Sequence, residues 1–470
     1  MLFNSLTFLM VFLPMALILY FVFPKRLKNA MLLLISIIFY AWGEPIYVVL
    51  LILSVLLNYF CGLDIFHRRQ NKGAAKNSLI FALLINIAIL GFFKYYEFLI
   101  TAINGIFSAD IVIRNLPLPI GISFYTFQAI SYLVDIYRGD AVANRNIVKF
   151  GVYLAMFPSL LAGPIVRYGD VQEQLDARQV TWPKFGNGLM LFIIGLGKKV
   201  VVAGSAAIIF GQIMSMELGG FSAFTAWVGA FAFAFMIYFD FSGYSDMAIG
   251  LARMFGFELL PNFNYPYVAT SVASFWKRWH ISLSTWVRDY VYIPLGGSQV
   301  TLQRNVINLM LVWLFIGLWH GATGHFVFLG LYFGAIIVLE KHVWGKFINR
   351  LPRVVGQSYT LFLVLIGWVF FFSPNLGFAI AYIQTMFGIG VGGILDTQGI
   401  FLLTSNWLIG IVMVLGSGTI GFRFLRFIIN AFSKPLIKKL VASFIYLGIF
   451  VISLAFMLNY GSEPFIYFRF

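Results

Sequence analysis

Residues 305–339 read NVINLMLVWLFIGLWHGATGHFVFLGLYFGAIIVL, thirty-five residues without a formal charge between Arg304 and Glu340. A helix needs roughly 20 apolar residues to cross a bilayer, so this run is long enough to enter a membrane. Near its middle lie His320 and, a little further on, His325. An ionisable residue at membrane depth is costly unless it has a partner or lines a cavity, which makes His320 a candidate functional residue.

The run divides into two apolar arms around a turn at residues 321–324. Each arm, 305–318 and 326–339, has fourteen residues and would be about 21 Å long, less than the roughly 30 Å hydrocarbon core. Irregular backbone at that depth is tolerated only where it is buried in protein or lines a water-filled cavity. We therefore expect the turn within the membrane's thickness and His320 at the wall of a vestibule. In the alternative the imidazole only satisfies a carbonyl at a helix break, and for His325 that alternative is favoured.

Composition places the whole chain in the membrane class. Of its 470 residues, 61% are hydrophobic and 10% charged, and the mean hydropathy is +0.91; soluble domains carry about 25% charged residues. Continuously apolar runs such as 31–40 and 79–93 favour helices over the alternating strands of a barrel. We predict an all-α polytopic membrane protein with about eleven to thirteen membrane segments, forming one integral domain over residues 1–470, with residues 2–23 retained as a first spanning helix.

The net charge of +15 is distributed in clusters. Lysine and arginine concentrate on the cytoplasmic side of membrane proteins. This rule places both the N-terminus and the C-terminus outside the cytoplasm, and it assigns to the cytoplasmic face the clusters at residues 25–28, 67–76, 198–199, 277–288 and 423–439. Because these residues are spread over loops beside membrane lipid, no soluble basic face is formed and nucleic acid is not expected as a partner.

Two carboxylates interrupt the apolar stretch 236–253, MIYFDFSGYSDMAIGLAR. Asp240 and Asp246 would be costly in a spanning helix unless they are hydrated or paired. They could form a polar seam between helices or cap a broken helix. They could also line a substrate channel, a role for which we select them together with Trp319 and Asn305.

The stretch 262–297, NFNYPYVATSVASFWKRWHISLSTWVRDYVYIPLGG, mixes tryptophan and tyrosine with basic residues. This composition favours an interfacial helix over a spanning one. Lys277, Arg278 and Arg288 could be positive-inside anchors or could bind the phosphates of an anionic substrate. His280 stands among these cations, which disfavour its charged form, so we expect a neutral imidazole that can accept a proton.

Several reaction classes have no support in the sequence. The chain has five histidines and a single cysteine, without the spacing of a metal site, a nucleotide-binding glycine loop or a G-x-S-x-G elbow. A histidine acting as general base on an acceptor hydroxyl remains, since imidazole titrates near the operating pH. A transporter is the distant alternative, but we find no internal repeat of the kind that transporters often carry.

Six segments along the chain carry a recognisable pattern: LLAGPIVRY (160–168), FDFSGYSDMAIG (239–250), NFNYPY (262–267), FWKRWHISLSTWVRDYVYIPLGG (275–297), GLWHGA (317–322) and PFIYFRF (464–470). In this order they closely resemble the membrane-bound O-acyltransferases. Within that family the chain looks most like the bacterial branch that acetylates alginate, with relatives for peptidoglycan and cellulose and, more distantly, for teichoic-acid D-alanylation. The resemblance covers nearly the whole chain.

The resemblance implies a ring of helices around a thin centre, with one cytosolic and one extracytoplasmic funnel, in the cytoplasmic membrane of a bacterium. His320 matches the essential histidine of the family and His280 its second characteristic one. The implied donor is acetyl-CoA, whose phosphates would suit Lys277, Arg278, Arg288 and Arg304. The implied acceptor is a polysaccharide reached through an extracytoplasmic SGNH-type partner, and a D-alanyl transferase is the near alternative.

The ending PFIYFRF at 464–470 suggests a further hypothesis. The family resemblance brings in a D-alanylation system in which a small peptide with a similar aromatic ending offers a tyrosine as acyl carrier. Tyr467 is the only hydroxyl in this motif, so it could take the acyl group with His320 as base. The alternative is an aromatic anchor at the membrane interface.

Overall fold

The structure, a computed structural model, describes residues 1–113, 116–348, 350–390, 393–432 and 434–461, and of residues 422, 425 and 460 the backbone alone. Every regular element within these ranges is a helix. The described chain forms two compact units. The expectation of one integral domain over the full length stays a prediction.

The first unit comprises residues 1–192 and 244–261. Its fifth helix is buried along nearly its whole length and is bounded by Gly121 and Gly139, both in the left-handed region. The helices that begin in this unit are α1 (Leu13–Val22), α2 (Lys28–Gly43), α3 (Tyr47–His67), α4 (Lys72–Phe107), α5 (Ile122–Arg138), α6 (Ile147–Ala155), α7 (Phe157–Leu160), α8 (Tyr168–Ala177) and α9 (Trp182–Gly197). Helix α9 continues into the second unit.

The second unit comprises residues 193–243 and 262–461. Within the described residues four π-helical turns also occur, at Phe8–Phe12, Lys198–Ala203, Arg288–Tyr292 and Glu340–Trp344. The helices that begin in this unit are α10 (Gly204–Met214), α11 (Ala223–Met254), α12 (Val272–Trp276), α13 (Ile281–Val287), α14 (Leu302–His320), α15 (Gly324–Leu339), α16 (Gly345–Ile348), α17 (Arg353–Phe372), α18 (Leu376–Met386), α19 (Thr397–Ser405), α20 (Trp407–Gly416), α21 (Thr419–Asn430) and α22 (Pro435–Tyr460). The C-terminal part of α11 belongs to the first unit.

Nine helical stretches in the described ranges are long and apolar enough to cross a membrane. The pair α19 and α20, bent by 69°, makes a tenth if it is one span, and Phe8–Val22 and α18 are shorter apolar helices. The predicted all-α, polytopic class is confirmed, while the number of eleven to thirteen segments stays a prediction. The nine stretches are Lys25–Gly43, Tyr47–His67, Lys72–Phe107, Trp182–Met214, Ala223–Met254, Leu302–His320, Gly324–Ile348, Arg353–Phe372 and Pro435–Asn459.

The uncharged run forms a helical hairpin, α14 and α15, that turns at residues 321–323 as expected. The predicted arm length of fourteen residues is wrong: α14 has 19 residues, and the second arm continues to Ile348 over 25. At 1.5 Å per residue, α14 is about 28 Å long. The sequence count stopped at the first charge, but the helix also includes Gln303 and Arg304, because charged side chains at a helix end can extend toward water.

Glycines allow the two arms of this hairpin to approach closely. A Cβ added to Gly330 would lie 2.5 Å from the carbonyl oxygen of Trp313, and one added to Gly317 would overlap the carbonyl oxygen of Phe326. Small residues at helix interfaces permit such close backbone contact in membranes. Because Gly317 lies three residues before His320, its contact with α15 positions the end of α14 that carries this histidine.

Candidate active site

His320 is the last residue of α14 and lies in an aromatic environment. The next residue, Gly321, has extended backbone and ends the helix. The imidazole is 8% exposed. Its ring centroid is 4.8 Å from that of Trp319, 5.2 Å from Phe371 and 6.0 Å from Phe326. The hairpin thus presents His320 from the end of a helix rather than from a loop.

His280 joins the two short helices α12 and α13. Its backbone lies in the left-handed region, with φ 43° and ψ 56°, where residues other than glycine are uncommon and where functional sites are over-represented. The side chain is buried, and its ring centroid is 4.6 Å from Phe241 on α11 and 6.3 Å from Trp319. The backbone turn therefore directs this imidazole inward, toward the end of α14.

Trp319 connects the two histidines. Its indole neighbours His320 at 4.8 Å and His280 at 6.3 Å between ring centroids. All three side chains belong to the second unit and are buried. The structure thus brings together three residues that the sequence selected separately, and we call them the His–Trp–His cluster.

Asn262 holds His280 from the other side, and sequence reasoning missed it. Its Oδ1 lies 3.1 Å from His280 Nδ1, and it accepts hydrogen bonds from the amide and the hydroxyl of Ser282 at 3.2 and 2.9 Å. Its main-chain carbonyl accepts from the amide of Ile281 at 2.9 Å. The sequence pattern around Asn262 was a weak indication of a site, because asparagine beside aromatic residues and a proline is also typical of an ordinary turn.

Burial makes His280 a neutral imidazole. It lowers the pKa of His280 from 6.5 to about 3, because charging a group away from water is unfavourable. The expected neutrality is confirmed, but the expected cause is wrong. The lowering of the pKa comes from burial rather than from neighbouring cations.

Glu340 attaches the segment that carries His280 to the end of α15. Its two carboxylate oxygens accept hydrogen bonds from the amides of Val272 and Ala273 at 2.7 and 2.8 Å. Carboxylates at a helix N-terminus satisfy amides that lack an intrahelical partner. The sequence showed Glu340 only as the charge that ends the apolar run.

The segment 262–297 differs from the expected interfacial helix. It forms α12 and α13, of five and seven residues, and Trp279 and Trp286 are 1% and 4% exposed. The centroids of Trp279 and Trp368 are 4.9 Å apart. A mixture of aromatic and basic residues resembles a membrane-interface belt, but here these tryptophans pack in the protein interior.

Asp240 forms a buried ion pair with Lys199. Lys199 lies in a π-helical turn within the span Trp182–Met214, so counting it with the loop cations was wrong. Helix α11 runs unbroken past Asp240, which excludes the broken-helix alternative. The pair fits a seam between helices, and a place in the substrate channel stays a prediction. Asp246 is half-buried further along α11, within the part that belongs to the first unit.

The predicted phosphate-binding residues lie at or near the surface of the second unit. Lys277, Arg288 and Arg304 are exposed, and Arg278 is half-buried and donates to the carbonyl of Asn264 at 3.2 Å. Arg288 donates to both carboxylate oxygens of Asp289, at 2.6 and 3.1 Å. This hydrogen bonding raises the pKa of Arg288 and offsets part of its charge. Phosphate binding by the four cations stays a prediction.

Asn305 is a hydrogen-bonding hub between α14 and the end of α15. It donates to the carbonyl of Gly297 at 2.7 Å and to the hydroxyl of Tyr292 at 2.9 Å, and its Oδ1 accepts from Lys341 at 2.9 Å and contacts His342 at 3.0 Å. This arrangement is structural, and a channel role stays a prediction. Lys341 and His342 add two groups that sequence reasoning passed over, although they directly follow the apolar run.

His325 is buried, with its Nε2 3.2 Å from the hydroxyl oxygen of Thr323 in the same turn. This local contact agrees with the structural role favoured for it. Tyr467 and the rest of the aromatic ending lie outside the described residues, so the relay hypothesis rests on sequence alone.

Comparison of the sequence with known protein families identifies the family of this chain. Residues 141–380, which contain the His–Trp–His cluster, match the model of the MBOAT, membrane-bound O-acyltransferase, family. The chain belongs to this family and is a membrane-embedded O-acyltransferase.

Relatives of known name agree with this membership. The chain is 41% identical to "Probable alginate O-acetylase AlgI" of Azotobacter vinelandii, over 83% of this chain and 79% of that protein. It is 34% identical to "Peptidoglycan O-acetyltransferase" of Helicobacter pylori, over 83% and 80%. It is 26% identical to "Teichoic acid D-alanyltransferase" of Bacillus subtilis, over 55% and 69%.

Proposed function

We propose that this protein transfers acetyl groups from cytosolic acetyl-CoA across a bacterial cytoplasmic membrane for the O-acetylation of an extracytoplasmic polysaccharide. One observation carries the proposal: two buried histidines meet at Trp319 in a chain about 40% identical to alginate O-acetylases. The names of the relatives support alginate or peptidoglycan as the class of polymer. An SGNH-type partner outside the membrane completes the transfer.

His320 acts as general base in the proposed reaction. It removes the proton of an acceptor hydroxyl while that oxygen attacks the carbonyl carbon of the thioester. The carbon–sulfur bond then breaks, and the imidazolium returns the proton to the departing thiolate. Positioned proton transfer of this kind contributes about 10²- to 10⁴-fold to a rate.

The cations of the second unit bind the donor. Lys277, Arg278 and Arg304 hold phosphates of acetyl-CoA, with Arg288 contributing less because Asp289 engages its guanidinium. Guanidinium and ammonium groups are the usual protein partners of phosphate. The positive-inside rule, applied to the basic clusters, supports a cytosolic location for these residues and an extracytoplasmic location for both termini.

The experiment measures CoA release from acetyl-CoA by purified protein in nanodiscs, comparing wild type with His320→Ala. We expect the variant to lose at least 100-fold in rate, since the base is removed. His325→Gln is the matched control, because it changes the other histidine of the hairpin and leaves the base in place. A His320→Ala variant that is folded and keeps the wild-type rate would contradict the assignment.

A D-alanyl transferase is the second candidate, supported by the teichoic-acid relative. That enzyme class would use a carrier-bound D-alanyl thioester instead of acetyl-CoA. Offering both donors to the same nanodisc preparation separates the candidates. Turnover of the D-alanyl donor alone would exclude acetyl transfer.

A further inference from the structure

We infer that Asn262 is a positioning residue that holds His280 with its proton on Nδ1, so that His280 meets substrate through a lone pair on Nε2 and acts as an acceptor. The inference rests on the acyl transfer proposed above and adds to it the chemical role of the second histidine. Three hydrogen-bonding contacts of Asn262 Oδ1 support it, with His280 Nδ1 and with the amide and the hydroxyl of Ser282.

The orientation of the Asn262 amide follows from the backbone. The amide N–H of Ser282 approaches Oδ1 at 3.2 Å, and a main-chain N–H can only donate. The amide nitrogen of asparagine has no lone pair to accept it, so an oxygen must occupy this position. The hydroxyl of Ser282 donates to the same oxygen at 2.9 Å. The atom 3.1 Å from His280 Nδ1 is therefore the acceptor Oδ1.

The histidine tautomer follows from this orientation. A carboxamide oxygen only accepts, so the hydrogen bond exists only if Nδ1 carries the proton. A neutral imidazole has one protonated and one unprotonated nitrogen, so Nε2 carries the lone pair. Burial keeps the ring neutral, because the pKa of His280 is lowered to about 3. The hydrogen bond sets which nitrogen carries the proton, and burial keeps the ring from taking up a second one.

The backbone around His280 keeps this contact in place. Asn262 is 1% exposed, so its Oδ1 is shielded from bulk water. Its carbonyl accepts from Ile281 at 2.9 Å, and the amide of Asn264 donates to the carbonyl of Arg278 at 2.9 Å. These two bonds bracket His280 and support its left-handed backbone.

The tautomer restricts what His280 can do. An Nε2 lone pair cannot donate to the oxyanion that forms on the thioester carbonyl, so His280 is not part of the oxyanion hole in its resting state. It can accept a hydrogen bond from a hydroxyl or an amide N–H of a substrate. We assign His280 to holding such a donor group in position for transfer.

Few charged groups belong to the elements around His280. The facing rings come from Phe241 on α11 and Trp319 on α14. The charged side chains and histidines on these elements and on the segment of His280 are Asp240, which is paired with Lys199, and Asp246, Arg253, Lys277, Arg278, Arg288, Asp289, Arg304 and His320; the tyrosines are Tyr238, Tyr244, Tyr265, Tyr267, Tyr290 and Tyr292. A new carboxylate at position 262 would therefore act on His280 at direct hydrogen-bonding distance.

The first test is the pH dependence of CoA release by Asn262→Asp. A carboxylate beside Nδ1–H favours the imidazolium, so the pKa of His280 rises from about 3. The charged form, which lacks the Nε2 lone pair, is then populated at low pH and lost as the pH rises. We expect the acidic limb of the profile to move at least one pH unit higher than in the wild type, with activity recovering at alkaline pH.

Asn264→Asp is the matched control, since its side chain is exposed, and its profile should remain that of the wild type. An Asn262→Asp profile identical to the wild type would overturn the inference.

The second test measures the tautomer directly by solid-state ¹⁵N NMR of histidine-labelled protein in nanodiscs. We expect the signal that disappears in His280→Asn to be that of a neutral Nδ1–H imidazole, unchanged down to about pH 5. A neutral Nε2–H signal would overturn the inference whatever the enzyme's substrate. Conversely, failure of acetyl-CoA turnover in the wild type would overturn the proposed function and leave the tautomer assignment intact.

A third variant separates positioning from stability. Ser282→Ala removes the hydroxyl but keeps the backbone N–H that orients Asn262. We expect its rate to stay within about tenfold of the wild type, because only one neutral hydrogen bond is lost and Asn262 keeps its other contacts. A Ser282→Ala variant that reproduces the alkaline shift of Asn262→Asp would overturn the assignment to Asn262.

Discussion

At the scale of single residues, the site depends on polar groups that find partners away from water. His320 and His280 could be selected from the sequence because each is an ionisable residue in an apolar or aromatic setting. Asn262 could not, because its contact with His280 spans eighteen positions and depends on how the loop folds back. Only one member of the Asp240–Lys199 pair could be selected from the sequence. The carboxylate interrupts an apolar stretch, but Lys199 resembled a cation in a loop.

That ion pair leads to a prediction on stability. Asp240→Asn leaves the buried Lys199 ammonium without its carboxylate, and breaking one partner of a buried pair costs about 3–5 kcal/mol. We expect a marked fall in the thermal unfolding temperature of the protein in nanodiscs, measured by intrinsic fluorescence.

The matched control for this prediction is Asp176→Asn. Its carboxylate pairs with Lys149 at the surface, with 57% of the aspartate side chain exposed. Exposed pairs contribute about 0–1 kcal/mol, so this change should leave the unfolding temperature nearly unaltered. Equal effects of the two substitutions would show that the buried pair does not stabilise the fold.

At the scale of elements, the α14–α15 hairpin holds His320 in position. The turn could be predicted because a glycine-rich segment interrupts an apolar run. The arm lengths could not, because a helix does not end where the first charge appears. The short helices α12 and α13 were missed for a related reason: aromatic and basic residues suggest an interface, while burial of Trp279 and Trp286 depends on neighbouring helices.

The hairpin contact at Gly317 can be tested by substitution. Gly317→Ala places a methyl group against the carbonyl oxygen of Phe326 and against Gly330, so the arms must separate and the end of α14 must shift. Small displacements of a reacting group can lower a rate by about 10²-fold. We expect CoA release to fall at least tenfold.

Gly324→Ala is the control for this change. A Cβ at Gly324 would meet nothing within 4 Å, so its rate should stay near that of the wild type. If Gly317→Ala is folded and fully active, close packing of the hairpin does not position His320.

At the scale of the whole molecule, the chain is a helical membrane enzyme, and the two histidines proposed to act in transfer lie within one compact unit. The membrane class followed from composition, since so few charged residues cannot cover a soluble surface. The direction in which each helix crosses was inferred from the positions of lysine and arginine, and it stays a prediction. A route for an acyl group from one side of the membrane to the other depends on the whole molecule and not on a single helix.

The relay hypothesis for Tyr467 belongs to that route. Tyr467→Phe keeps the aromatic ring that would anchor the ending at the interface but removes the hydroxyl that would carry the acyl group. We expect polymer acetylation in cells with this variant to fall at least tenfold, while a Phe465→Tyr variant, which leaves Tyr467 in place, should retain it. Unchanged acetylation with Tyr467→Phe would end the relay hypothesis and favour the anchor.

The sequence by itself determined the membrane class, the all-helical fold, the hairpin around His320 and the two histidines, because these follow from local hydrophobicity, turn residues and short motifs. Only the tertiary structure decided that both histidines meet at Trp319, that Asn262 orients His280, that Glu340 caps α12 and that Lys199 neutralises Asp240. Each of these arrangements needs contacts between residues separated in the chain, which form only when helices pack and loops fold back, and hydrophobic periodicity specifies neither.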